Sequence, residues 1–154
     1  MRNRSQAGFT IVEVMIVVMI MGVLASLVLP SIRANTVRVK MSEALLAFGP
    51  CRNMVTETYL GGGDIPDANN WGCETSNVSV YVDSVTTGPL GQIIVGLRGF
   101  GDLRIDFHDI TLAPLDNTGS LPTGNGAPIR RWRCGSVLDG TNVAPQFLPG
   151  SCRG

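Results

Sequence analysis

A chain of 154 residues with 44% hydrophobic residues, nine prolines and charges balanced at twelve acidic and twelve basic is long enough to bury one core and too apolar to be disordered. The even balance of charge argues against a general nucleic-acid-binding protein. Residues 1–8, MRNRSQAG, carry Arg2 and Arg4 but no apolar core. They do not form an ordinary secretory signal and stand outside the fold.

Gly8 opens the stretch GFTIVEVMIVVMIMGVLASLVLPSI, which ends at Ile32 and has no charge from Val14 onward. Counted over 9–32, about 24 helical residues rise roughly 36 Å, enough to cross a hydrocarbon core of about 30 Å. Glu13 alone breaks the run. An ionised carboxylate at mid-bilayer costs about 2.5–3.5 kcal/mol, and the segment holds no Lys or Arg to pair with it. A basic leader ending in Gly8, then Phe9-Thr10, a Glu five places after Gly8 and an unbroken apolar helix resemble a type IV prepilin. The resemblance implies that a membrane peptidase cuts after Gly8 on the cytoplasmic face and methylates the new amino terminus at Phe9. It also implies that Glu13, with Thr10 beside it, serves subunit assembly, its carboxylate pairing with the terminal amine of a neighbouring subunit. Ala7 departs from the Lys or Arg that relatives often carry before the Gly, which bears on cleavage efficiency. A signal anchor with a stray Glu is the plain alternative. Arg33, Arg38 and Lys40 flank the far end of the run, so charge bias alone does not orient it. The resemblance and the cysteines place the amino terminus in the cytoplasm and the remainder outside.

Beyond Ile32 the helix changes character. Over 33–60, Val37, Met41, Ala44, Leu45, Phe48, Cys51 and Val55 recur at steps of three and four and mark one face. Arg38, Lys40, Glu43, Arg52 and Glu57 fall largely off it. One helix from about Phe9 to Tyr59 is expected, membranous in its first half and amphipathic in its second, ended by Gly61-Gly62-Gly63. Gly22 weakens it by about 1 kcal/mol relative to Ala. Pro30 cannot donate to the Ser26 carbonyl, nor Pro50 to that of Leu46, so kinks are expected at both. The alternative, that Gly49-Pro50 separates two helices, fits less well with a stripe that keeps its phase. Resemblance to pilins further implies that the stretch from Gly22 to Pro30 loses helical order on assembly.

Residues 61–77 read as a loop. Over 78–134 the spacing predicts four strands: Val78, Val80 and Val82 alternating with polar partners, then Ile93, Val95 and Leu97, then Leu103, Ile105 and Phe107, then Ile129 to Cys134. Gly99-Phe100-Gly101-Asp102 suits a hairpin between the second and third. The fold class is α+β, a long amino-terminal helix packed on a four-stranded antiparallel sheet. The family resemblance implies the same arrangement.

Four cysteines allow three pairings, and in an exported protein disulfides are favoured over a metal site, since no CxxC spacing occurs. Within the closing segment 135–154, Cys134 and Cys152 match the two cysteines that bound the carboxyl-terminal loop of type IV pilins, and Phe147-Leu148-Pro149 resembles the segment before the last. Cys51 and Cys73 would then join the helix to the loop after it, with a buried Cys51 thiol as the alternative. His108 stands without a nucleophile partner, and Asp102, Asp106, Asp109 and Asp116 do not follow an EF-hand spacing. Arg130, Arg131 and Arg133 around Trp132 could touch DNA phosphates, although a salt-bridged strand face is the plainer reading. Asn77-Val78-Ser79 fits a glycosylation acceptor. No catalytic constellation, cofactor or metal set emerges, so no enzyme is expected. The expected function is that of a major pilin, held in the inner membrane as a precursor and assembled by membrane machinery into an extracellular homopolymer for adhesion, twitching motility or DNA uptake. The alternatives are a pseudopilin of a type II secretion system, a minor pilin or an anchored binding domain.

Overall fold

The computed structural model describes residues 8–124 and 126–154, leaving out the side chains of 28–34. Leader positions 1–7 and the side chain of Pro30 therefore lie outside the described residues. The chain divides into two units, Met1–Thr36 and Val37–Gly154.

Helix α1 (Ile11–Leu46) supplies the regular structure of the first unit and continues into the second. Thr10 starts it. Its Oγ1 accepts the Glu13 N–H and its carbonyl accepts the Val14 N–H, both at 3.3 Å. Thr10-x-x-Glu13 is the sequence of a capping box, so Glu13 also stands in the first turn, where the helix dipole favours an acid. The Val- and Ile-rich run that follows has only moderate helix propensity in water, so its stability depends on its surroundings. Every described side chain from Phe9 to Leu27 is exposed. Among the described residues, no helix is long and apolar enough to cross a membrane, and the expected span over 9–32 runs into the undescribed side chains.

In the second unit α1 ends at Leu46, and after the single residue Ala47 helix α2 (Phe48–Gly61) follows. The expected unbroken helix is thus two helices, interrupted before Pro50 and not at it. Pro50 leaves the Leu46 carbonyl without its usual donor, and Ala47 answers with a tighter bond to the Ala44 carbonyl at 3.2 Å. Pro50 itself occupies the first turn of α2, where a missing N–H costs nothing. Ala47 keeps helical angles, so the stripe holds its phase. Met41, Ala44, Phe48, Cys51, Val55 and Tyr59 are all buried. Gly62, at φ +65°, ends α2 in the left-handed conformation that a side chain would resist.

Five strands, not four, form an antiparallel sheet in chain order: β1 (Thr75–Ser76), β2 (Val82–Thr87), β3 (Ile93–Leu97), β4 (Asp109–Leu115) and β5 (Arg131–Cys134). The Val78–Val82 alternation does not make the first long strand. Ser79 Oγ accepts the Tyr81 N–H at 3.2 Å and its backbone N–H turns to the Val82 carbonyl, which holds a loop until Val82. A bulge then places Val82 and Val85 in the core although they are three residues apart. The third expected strand, Leu103 to Phe107, is a turn, and no hairpin forms at Gly99–Asp102. Asp102 receives the Arg104 N–H, its carbonyl accepts from Ile105 and Asp106, and Asp106 caps the N–H groups of Phe100 and Gly101. Local carboxylate bonding outweighs alternation there. The strand that takes its place, β4, is buried along nearly its whole length and so shows no alternation. Pro114 lies past its last pairing with β3, Ile93 with Leu112, so it removes no bond on that side. The buried helix stripe packs into one core with Ile93, Val95 and Leu97 of β3 and Ile110 and Leu112 of β4.

Candidate assembly site

The first unit presents an apolar surface that is uncovered in the single chain. Phe9 is 81% exposed and Ile11 80%, and the exposure continues past Leu24. Among the described residues the Glu13 carboxylate has no hydrogen-bond or ion-pair partner, while its backbone N–H is held by Thr10. Gly22 lies in open space, with nothing within 4 Å of where a Cβ would stand. No contact among the described residues calls for a glycine there. Small residues in an apolar helix allow close approach by another helix. Ser26 donates its hydroxyl to the Val23 carbonyl at 2.7 Å, so it does not compensate its own carbonyl, the one Pro30 cannot serve. Helix α1 nevertheless runs unbroken past Gly22 and position 30.

The second unit holds its two long loops by different means. The loop over 61–77 is tied to α2 by the Cys51–Cys73 disulfide, and its centre is Glu74. That carboxylate accepts N–H bonds from Trp71, Gly72 and Cys73 at 2.9–3.0 Å and a hydroxyl bond from Thr87. Burial works to raise the Glu74 carboxyl, but the hydrogen bonds from Thr87 and the loop backbone outweigh it and hold it below the usual glutamate value. Trp71 is buried against Tyr59, ring centres 6.0 Å apart, and its Nε1 donates to the Gly88 carbonyl. The Tyr59 hydroxyl reaches the Leu90 and Pro122 carbonyls, each at 3.2 Å, and burial raises its pKa.

The loop over 135–154 is closed by the Cys134–Cys152 disulfide, 18 residues apart. Closure of that length contributes about 3 kcal/mol in the chain-entropy picture. Gly135 has φ +75°, and a Cβ there would stand 2.4 Å from the Cys152 carbonyl oxygen, so only glycine fits. Arg133 of β5 grips Asp139 with two bonds of 2.7 and 2.6 Å, and the Asp139 side chain is 3% exposed. Thr141 accepts the Thr111 N–H and bonds its hydroxyl at 2.7 Å, fastening the loop to β4.

Arg133 is therefore salt-bridged, Trp132 lies under Arg52 of α2 at 5.7 Å, and Arg130 and Arg131 remain exposed. His108 Nδ1 contacts the Asp106 carbonyl at 3.1 Å. Asn77 gives its side-chain oxygen to Arg98 at 2.8 Å. Asp102 and Asp106 spend their carboxylates on the turn described above, and Asp116 on Thr118 and Ser120. Sequence reasoning passed over Glu74, Asp139 and Thr141. Glu74 bonds the backbone just before it and Thr87, Asp139 meets Arg133 six residues back, and only Thr141 has a distant partner, Thr111; none of the three follows a periodic or motif spacing. The Thr10 cap, by contrast, was readable as a T-x-x-E box.

The family model for pilin, described as bacterial filament, matches residues 37–153, and that for the prokaryotic N-terminal methylation motif matches residues 3–29. A type IV major pilin protein PilE of Neisseria gonorrhoeae is 40% identical over 161 residues, covering 98% of this chain and 96% of the relative. A type IV major pilin protein PilE1 of the same organism is 32% identical, covering 98% of this chain and 75% of the relative. The fimbrial protein of Pseudomonas aeruginosa is 24% identical, with 97% of each chain covered.

Proposed function

Since the chain belongs to the type IV pilin family, we propose that it is the major subunit of a type IV pilus and polymerises through its amino-terminal helix. The observation that carries this is the exposed apolar run from Phe9 onward with one acid, Glu13, whose carboxylate has no partner among the described residues. In water such a surface is unfavourable at roughly 25 cal/mol per Å², so it needs either lipid or other copies of itself. The precursor is held in the inner membrane by residues 9–32. A prepilin peptidase cuts between Gly8 and Phe9 and methylates Phe9. The assembly machinery then moves the subunit into the filament, where Glu13 receives the amine of a neighbouring Phe9. The charge pair sets register because a lone carboxylate among apolar helices has no other low-cost place. Relatives named as major pilins over nearly the whole chain support the major over the minor role. The filament would then serve adhesion, twitching motility or DNA uptake, with the exposed Arg130 and Arg131 as the residues available to phosphates. Material sheared from cells and analysed by mass spectrometry tests the reading. The expected mass is that of residues 9–154 with both disulfides and one added methyl. Filaments holding intact Met1, or sheared material without this chain, would overturn it.

A further inference from the structure

One end of the second unit carries apolar side chains that its own core does not use. The core closes there with Tyr81, Phe100 and Ile105. The Tyr81 and Phe100 rings lie 5.4 Å apart, Lys40 of α1 stands 5.0 Å over Tyr81, and Ile105 is fully buried. Outside this plug Val80, Leu103 and Phe107 are 70%, 80% and 85% exposed. They belong to adjoining loops: the Arg98 N–H donates to the Tyr81 carbonyl at 3.2 Å and the Phe107 N–H to the Leu97 carbonyl at 2.9 Å. The turn built by Asp102 and Asp106 directs Ile105 inward and leaves Leu103 and Phe107 outside. Phe107 even adopts φ +65°, an uncommon conformation for a bulky residue. Single exposed apolar side chains need no explanation, but three on neighbouring loops at one end do.

The chain itself says what this end meets. Lys40, which marks it, lies eight residues beyond Ile32, the last residue of the apolar run. As helix that is at most about 12 Å of rise, against an interfacial layer about 5–8 Å deep on each side of a bilayer. Upright, the helix sets Lys40 only about 4–7 Å beyond that layer, and any tilt brings it closer. The charges among them are paired, Arg98 with Asp83 at 3.4 Å and Arg104 with Asp102 at 2.6 Å, while Arg38 and Lys40 add positive charge suited to phosphate. Anchor and loops share one chain, so the contact is intramolecular and a modest apolar gain is enough to populate it. The geometry points to a lipid-docking rim. In the membrane-held subunit Val80, Leu103 and Phe107 enter the headgroup layer and seat the second unit on the bilayer. This rests on the pilin reading, which places residues 9–32 in the membrane.

Full-length protein in phosphatidylcholine–phosphatidylglycerol vesicles, with or without brominated acyl chains, tests the rim through Phe107→Trp. Leu60→Trp is the control, because Leu60 is 79% exposed at the opposite end, beside Tyr59 and its bonds to Leu90 and Pro122. Emission from Trp71 and Trp132 is subtracted with the parent protein. The expected result is a blue-shifted emission at 107 that brominated lipid quenches, no quenching at 60, and loss of quenching at 107 when Val80→Ser and Leu103→Ser are added. Unquenched emission at 107 in protein that resists carbonate extraction overturns the docking and leaves the pilin reading standing. Protein released by carbonate defeats the reading itself and the docking with it. Emission at 107 that ignores brominated lipid but shifts with protein density assigns the rim to a second copy of the chain, and so also overturns it.

Discussion

Glu13 has two roles to separate, and single substitutions can do it. Its backbone N–H is held by Thr10 in the first turn of α1, a capping contribution of about 1 kcal/mol. Its carboxylate is unpartnered among the described residues, which is what an intermolecular role requires. Glu13→Ala removes both the charge and the capping-box side chain, whereas Glu13→Gln keeps a side chain able to complete the box and removes only the charge. If the charge sets register, both variants insert normally and both lose most piliation by electron microscopy. Filaments restored by Gln would show that the helix start, not the pair, is what matters. Glu74 makes a different prediction. Its carboxyl is held below the usual glutamate value when folded. Its stabilisation is therefore full above about pH 4.3, the unfolded value, and is lost as pH falls through the lower folded value. Amide hydrogen exchange over residues 61–77, taken relative to the intrinsic rate at each pH, should rise across that acid window. Glu74→Gln should show faster exchange at neutral pH and no such rise. An unchanged acid profile in the variant would exclude Glu74 as the titrating group.

At the level of elements, α1 is one helix from Ile11 to Leu46 in the single chain, but its weak stretch is plain. Gly22 has no packing reason among the described residues, Ser26 points its hydroxyl at Val23, and Pro30, four residues on, cannot donate to the Ser26 carbonyl. Neighbouring helices in a filament can shield an opened backbone that a bilayer would penalise. The stretch from Gly22 to Pro30 is accordingly expected to be at least partly extended in the filament. Each melted residue spans about 3.3 Å in place of 1.5 Å, which lets the fibre lengthen without breaking subunit contacts. A filament map with unbroken helix from Phe9 to Leu45 would defeat this, as would Pro30→Ala filaments that match the parent in structure and extensibility. The interruption at Ala47 is of another kind. It is a one-residue adjustment to Pro50, and the buried stripe crosses it without losing phase.

For the whole molecule, the two units divide the work. The first exposes an apolar surface over its described residues, which on the function proposed above lipid or other subunits would cover. The second closes on a shared core from Met41 to Cys152 and secures each long loop with a disulfide and a buried or half-buried carboxylate, Glu74 for one and Asp139 for the other. The carboxyl-terminal loop depends on Arg133 as well as on Cys134. Removing Arg133 would leave Asp139 unpaired, at a cost on the order of 1–3 kcal/mol, less than for a fully buried pair because 27% of the Arg133 side chain remains in water.

What the sequence determined by itself was what repeats at a fixed spacing or carries a plain stop signal. The apolar run with Glu13, the stripe from Met41 to Val55, the end of the helix at the glycines and the Ile93–Leu97 alternation could each be read within a few turns or residues, because helix and strand faces repeat at fixed spacing. The tertiary structure decided what depends on burial from both sides or on competition between local bonds. β4 shows no alternation because both of its faces are covered, so Asp109–Leu115 did not read as a strand. Leu103–Phe107 alternates and yet is a turn, because Asp102 and Asp106 offer its backbone nearer partners than a neighbouring strand does. Val78 and Val80 likewise alternate and stay outside the sheet, since the Ser79 hydroxyl and the backbone bonds around it hold a loop up to Val82. Periodicity reports which faces a segment offers; only packing decides which of them are covered.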